Sequence, residues 1–103
     1  MDVVFHAHNA VISDRMKQRA SSSLLKLAKR LDRVVGALVR FHQDGPTRRV
    51  EIRLNAAGHR EIMAEGSSKY YGPALKTALH HLESQIGHEK RDTKHSGPSL
   101  TRA

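Results

Sequence analysis

The residues with the clearest capacity for chemistry are cations. Across Ser13 to Arg33, SDRMKQRASSSLLKLAKRLDR, helical spacing of about 100° per residue gathers Arg15, Arg19, Lys26, Lys29, Arg30 and Arg33 on an arc of roughly 100°. Lys17 adds a further cation, and the only acids in the stretch are Asp14 and Asp32. Pairing between neighbouring turns therefore leaves most of the stripe unneutralised. A row of cations without internal partners is suited to neutralising phosphates or carboxylates. The whole chain carries a formal net charge of +8 with His neutral, a field strong enough to steer association with anions. Nucleic acid, an anionic membrane and an acidic protein are the partner classes this implies.

Other chemistries find less support. The 8 His residues raise the question of a metal. His80 and His81 are adjacent and point about 100° apart on a helix; His88 lies two turns beyond His81, and the one-turn spacing of a helical metal pair is absent. His6 and His8 share a strand face that His42 is placed to neighbour, but the expected role of these side chains is as surface groups. There is no cysteine, which excludes a disulfide scaffold, thiolate ligation and a cysteine nucleophile. No nucleophile-elbow motif and no glycine-rich phosphate loop occurs, and the outward carboxylates Glu51, Glu61 and Glu65 read as solubilising charges on a strand face. No catalytic residue, metal or cofactor is expected, and the chain is not expected to be an enzyme.

The elements that must position the stripe follow from periodicity. Val3, Phe5 and Ala7 alternate with polar neighbours, predicting a half-buried strand. Ser13 is placed to cap a helix running to about Arg33, with Met16, Ala20, Leu24, Leu27 and Leu31 on its apolar face and Asp14 at its positive end. Val35, Ala37, Val39 and Phe41 share the inner face of a second strand. Asp44-Gly45-Pro46 marks a turn, and Val50, Ile52 and Leu54 alternate with Arg49, Glu51 and Arg53 in a third strand. After a turn over Asn55 to Gly58, His59 to Glu65 reads as a fourth strand with Ile62 and Ala64 inward. Gly66 to Gly72 reads as a loop, followed by a second helix with Pro73 in its first turn and Leu75, Ala78, Leu79, Leu82 and Ile86 at helical spacing. Its other face carries Lys76, His80, His81, Ser84, His88 and Arg91. The expected fold is α+β: a two-layer sandwich in β-α-β-β-β-α order, with a four-stranded sheet and two helices on one face. Residues 1 to 91 form the expected domain, and 92 to 103 are polar, aperiodic and expected to be a disordered tail.

At 103 residues and 38% hydrophobic composition, one modest core is expected. No apolar run approaches the roughly 18 residues of a membrane span, and the first residues, MDVVFHAHN, do not read as a signal peptide. A cytoplasmic protein is expected. Aromatic residues narrow the kind of anion. Phe5 and Phe41 fall on inner strand faces, leaving Tyr70 and Tyr71 for base stacking, so cations tracking a structured phosphate backbone fit better than a single-strand stacking platform.

The element order and the basic first helix resemble the ribosome hibernation promoting factor and ribosome-associated inhibitor A family, also called sigma-54 modulation proteins. The resemblance spans about residues 1 to 91 and is densest at Leu24-Leu25-Lys26-Leu27 through Leu31-Asp32-Arg33-Val34, at Ala64-Glu65-Gly66, and at Leu82-Glu83-Ser84-Gln85-Ile86. It implies a double-stranded-RNA-binding-like fold, lodged in the decoding channel of the small ribosomal subunit and excluding messenger and transfer RNA. Basic family positions correspond to Lys17, Lys26, Lys29 and Arg33, and the Lys-rich end of the family's second helix to Lys90 and Arg91. Lys76 stands where an Asp is common, and Ser67 to Pro73 is longer than the family's usual entry to that helix.

The expected RNA-binding set is therefore Lys17, Arg19, Lys26, Lys29, Arg30, Arg33, Lys76, Lys90 and Arg91. The expected partners are the small ribosomal subunit and its ribosomal RNA, with no membrane and no small-molecule substrate. The chain resembles the family's short form, without a C-terminal dimerisation domain, and is expected to be monomeric off the ribosome. The alternative is a regulator whose basic surface docks an acidic protein, as a modulator of transcription or of the stress response.

Overall fold

A computed structural model of the chain describes residues 1–31, 33–58 and 60–95, with side chains as far as His88. Its elements are β1 (Asp2–His8), α1 (Asp14–Ala28), β2 (Val34–Asp44), β3 (Thr47–Ala56), β4 (Ile62–Ser68) and α2 (Tyr71–His95). The sheet order is β1-β2-β3-β4. β1 runs parallel to β2 because α1 carries the chain back to the same end of the sheet, while β2, β3 and β4 form an antiparallel meander. Period-two patterning turns Val39, Phe41, Val50, Ile52, Leu54 and Ile62 to one face, where they are buried in a single core with Ala20 and Leu24 of α1 and Leu75, Ala78, Leu82 and Ile86 of α2. Both helices cover that face, giving the expected two-layer α+β sandwich.

Local chemistry fixes the helix ends. The Ser13 hydroxyl oxygen accepts a hydrogen bond from the Met16 N–H at 3.1 Å, capping α1 as expected. The helix ends at Ala28, however, short of Arg33. Because β2 starts at Val34, the intervening residues must reverse the chain. The Arg30 and Leu31 N–H groups tighten the last turn by donating to the Leu27 and Ala28 carbonyls, each at 3.0 Å. Arg33 then takes φ +60, and Leu31 still reaches the core.

Three further boundaries differ from expectation. A register shift between Val34 and Gly36 puts an extra residue into β2 and leaves Val35 63% exposed instead of facing inward. β4 runs through Gly66, Ser67 and Ser68, which were expected to lie in a loop; His59, the expected start of that strand, lies outside the described residues. α2 starts at Tyr71, includes Gly72 and Pro73 in its first turn, and continues to His95, past Asp92 where a tail was expected; the remainder of that expected tail, 96–103, lies outside the described residues. Between β2 and β3 the turn is two residues, Gly45-Pro46, with Gly45 supplying φ +57 at its first position.

Two positions carry measurable consequences. Gly66 is buried where α2 lies on β4. A Cβ there would stand 2.6 Å from the Ala78 nitrogen and 2.8 Å from Thr77 Cβ, and would overlap the Ala74 carbonyl oxygen. Gly66→Ala is expected to destabilise the fold by about 2–3 kcal/mol, because backbone and not a flexible side chain must move; a melting temperature equal to wild type would contradict this packing. Tyr71 packs edge-on against Phe41, with ring centroids 5.5 Å apart, and its buried hydroxyl has no hydrogen-bond partner among the described residues. Burial pushes the Tyr71 phenol above its ordinary value of 10.0; Arg48 opposes that shift and Asp44 adds to it. Folding thus favours the neutral phenol, a contribution present below that ordinary value and lost as pH rises through the higher folded one. Tyr71→Phe is expected to gain roughly 1 kcal/mol at neutral pH by deleting an unsatisfied group, and to resist alkaline unfolding better than wild type, as thermal melts across pH will show.

Candidate nucleic-acid interface

The helical layer presents several cations that have no acidic partner among the described residues. Arg15, Arg19 and Lys26 of α1 and Lys29 at its C-terminal cap are exposed along one face, and Lys76 is exposed on α2. Among the described residues, none of these five lies within ion-pair distance of a carboxylate. Arg19 reaches the start of α2, its Nη1 lying 3.6 Å from where a Cβ of Gly72 would stand. Arg30, in the turn after α1, donates from Nη1 to Glu83 Oε2 at 3.2 Å and ties that turn to α2. Both side chains are about half exposed, so this bridge contributes at most about 1 kcal/mol.

The structure does not bring the whole expected set together. Lys17 is half-buried and lies on the far side of α1 from the stripe, since its helical angle falls close to that of buried Ala28. Arg33 is exposed beyond the helix end, on a left-handed residue rather than on the helix face. Lys90 and Arg91 belong to α2, but their side chains lie outside the described residues, as does Asp32.

The opposite, uncovered face of the sheet is also rich in cations, but there they are paired. Strand register aligns His6, Arg40, Glu51 and Glu65 in one row and His8, His42, Arg49 and Ser67 in the next. Arg40 and Arg53 approach the same Glu51 oxygen at 3.7 and 3.3 Å, and Arg49 approaches Asp44 at 3.4 Å. The expected neighbours His8 and His42 do meet, with ring centroids 6.0 Å apart. The described residues contain no cluster of three or more His, Asp or Glu that could hold a metal. The two faces thus differ less in the number of cations than in whether those cations are free to meet an external anion.

Aromatic placement also differs from the sequence reading in one respect. Phe5 and Phe41 stack inside the sandwich at 6.4 Å, and Tyr71 is held between Phe41 and the Arg48 guanidinium, which lies 5.7 Å from its ring centre. Tyr70, 67% exposed, is the one tyrosine left for stacking. Leu27 and Leu79, expected in the core, are only partly buried and line a groove between the helices together with Lys26, Lys76, His80 and Glu83. Their position beside lysines, at the margin of each apolar arc, is the sequence signal that could have revealed it.

The family model for the sigma 54 modulation protein / S30EA ribosomal protein matches residues 3–94. Among solved structures, a ribosomal subunit interface protein from Coxiella burnetii superposes with a TM-score of 0.81 at 19% identity, covering 88% of this chain and 99% of that one. The N-terminal domain of Protein Y from Thermus thermophilus gives 0.73 at 23% identity, covering 84% of this chain and 96% of that one. At these identities the two structures establish a shared fold. No curated protein gives a significant sequence match.

The left-handed Arg33 separates charge from conformation. A non-glycine residue there costs about 1 kcal/mol, so Arg33→Gly is expected to raise thermal stability while removing a cation from the helical end of the molecule. A lower melting temperature would show that the Arg33 side chain contributes more than its backbone costs.

Proposed function

Because the chain belongs to the sigma 54 modulation protein / S30EA ribosomal protein family, we propose that it is a ribosome-associated hibernation factor of the cytoplasm that inhibits translation. It binds small-subunit ribosomal RNA in the decoding channel and excludes messenger and transfer RNA. The mechanism is occlusion and not chemistry. Cations of α1 and α2 neutralise ribosomal RNA phosphates, and the bulk of the sandwich fills space that translation needs. The observation that supports this most is the segregation of charge: Arg15, Arg19, Lys26, Lys29 and Lys76 lie on one layer without acidic partners among the described residues, whereas the arginines of the open sheet face are paired with Glu51 and Asp44. A polyanion gains most by meeting cations that need not first be separated from a carboxylate. The name of one similar structure, a ribosomal subunit interface protein, agrees with a ribosomal partner.

Within the RNA-binding surface we assign Arg19, Lys26, Lys29 and Lys76 to direct phosphate contact, with Arg30 shared between RNA and Glu83. Arg33, Lys90 and Arg91 extend the surface at its ends, and Lys17 has the least access. Lys26→Glu with Lys29→Glu reverses two exposed charges. It is expected to weaken association with the small subunit by several kcal/mol, roughly 10³-fold, without lowering the melting temperature. Sedimentation of stationary-phase lysates through sucrose gradients checks this: the variant should remain at the top of the gradient, and free ribosomal RNA should compete wild type off the ribosome. If the variant still travels with ribosomes, α1 is not the contact. If the wild-type association instead survives nuclease digestion of the ribosomal RNA, the partner is an acidic protein.

A further inference from the structure

The groove between α1 and α2 combines features that phosphate neutralisation alone leaves unexplained. Its volume is about 580 Å³, within the range of clefts that seat small organic ligands. Lys26 stands on the α1 side and Lys76 on the α2 side, while Leu27 and Leu79, partly buried against the core, supply its apolar surface. A phosphate gains nothing from leucine. A ligand with an apolar face and an attached anion gains from both.

We propose that this groove seats one unpaired nucleotide of the RNA partner, with its base on Leu27 and Leu79 and its phosphate between Lys26 and Lys76. The proposal rests on the RNA-binding function above. A nucleobase has an apolar face and a hydrogen-bonding edge, and the groove offers that edge the Ser23 and Thr77 hydroxyls and the His80 imidazole. Glu83 also lines the groove, but Arg30 holds its carboxylate at 3.2 Å and offsets the repulsion it would exert on a phosphate. An acidic amphipathic helix fits less well, because such a helix needs a longer row of apolar anchors than two leucines provide. The sheet has a cleft of similar volume, about 600 Å³, at His6, His8, Arg40 and His42, but Arg40 there is already paired with Glu51, as is Arg53 beside the apolar row of Val4, Leu38 and Met63.

NMR of the leucine methyls and the lysine side-chain methylenes of the wild-type chain, titrated separately with adenosine 5′-monophosphate, ribose 5-phosphate and inorganic phosphate, tests this. The nucleotide is expected to shift the Leu27 and Leu79 methyls together with signals from Lys26 and Lys76, with a Kd of roughly 1–10 mM. Ribose 5-phosphate and inorganic phosphate should move the lysine signals only, and bind at least about fivefold more weakly. Leu79→Ala, shown to be folded by its spectrum, should weaken the nucleotide about fivefold and leave phosphate unchanged. Equal responses to all three probes, or silent leucine methyls at about 10 mM nucleotide, would overturn the proposal. Silent methyls in a protein that still sediments with ribosomes overturn the groove alone, whereas loss of ribosome association overturns the functional reading beneath it.

Discussion

The α2 backbone at Ala74 and Ala78 lies directly over Gly66 of β4, leaving no room for a Cβ, and the absence of a side chain there sets how low the second helix can lie. With α2 seated, Ala74, Leu75, Ala78, Leu82 and Ile86 fill the core, and the turn after α1 comes within reach of Glu83. The helix-to-helix spacing that results places Lys26 opposite Lys76. A larger residue at position 66 would lift α2 and move its cations relative to those of α1. One backbone contact in the core thus governs the geometry of a surface on the far side of the helix.

Charge is then distributed by pairing rather than by number. Cross-strand register places Glu51 beside Arg40, the two-residue spacing along β3 puts Arg53 on the same face as Glu51, and the β2–β3 turn brings Asp44 to Arg49, so the sheet's open face largely neutralises itself. The helical stripe has no comparable supply of acids, because the α1 sequence is nearly free of them and Glu83 is engaged by Arg30. The result is a protein with two basic surfaces, of which one is electrostatically available. Few exposed aromatics accompany that surface, which suits backbone neutralisation of a folded RNA better than stacking along a single strand.

Much of this was legible in the sequence. The strict alternation of Val50, Ile52 and Leu54 and the helical spacing of Leu75, Ala78, Leu82 and Ile86 specify two of the most buried elements, and Ser13 marks the start of α1. The misplaced boundaries have physical causes that local pattern does not carry. Nothing in Lys29 to Arg33 breaks a helix; α1 ends because β2 must begin at Val34, a constraint set by the sheet. Val35 continues an apolar alternation that the bulge before Gly36 displaces. Gly66 reads as loop punctuation until the helix packed over it is known. The stripe itself was visible on a helical wheel, and the shared face of Glu51 and Arg53 in the alternation of β3, but the pairing of Arg40 with Glu51 depends on cross-strand register and could not be. Lys17 matched a family position, although its angle had already placed it away from Arg19 and Lys26.

The central claim is that the free cations of the helical layer, and not the paired cations of the sheet, meet the ribosomal RNA. The most direct measurement is the salt dependence of Kd for purified small subunits, compared across variants. For every phosphate that a variant no longer neutralises, the slope of log K against log salt should flatten by about 0.7–0.9. Combined Lys26→Ala, Lys29→Ala and Lys76→Ala substitutions are predicted to flatten it by about 2–3, while Arg40→Ala with Arg49→Ala leaves it near wild type. A wild-type slope in the helical variant, or an equal flattening in the sheet variant, would contradict the account.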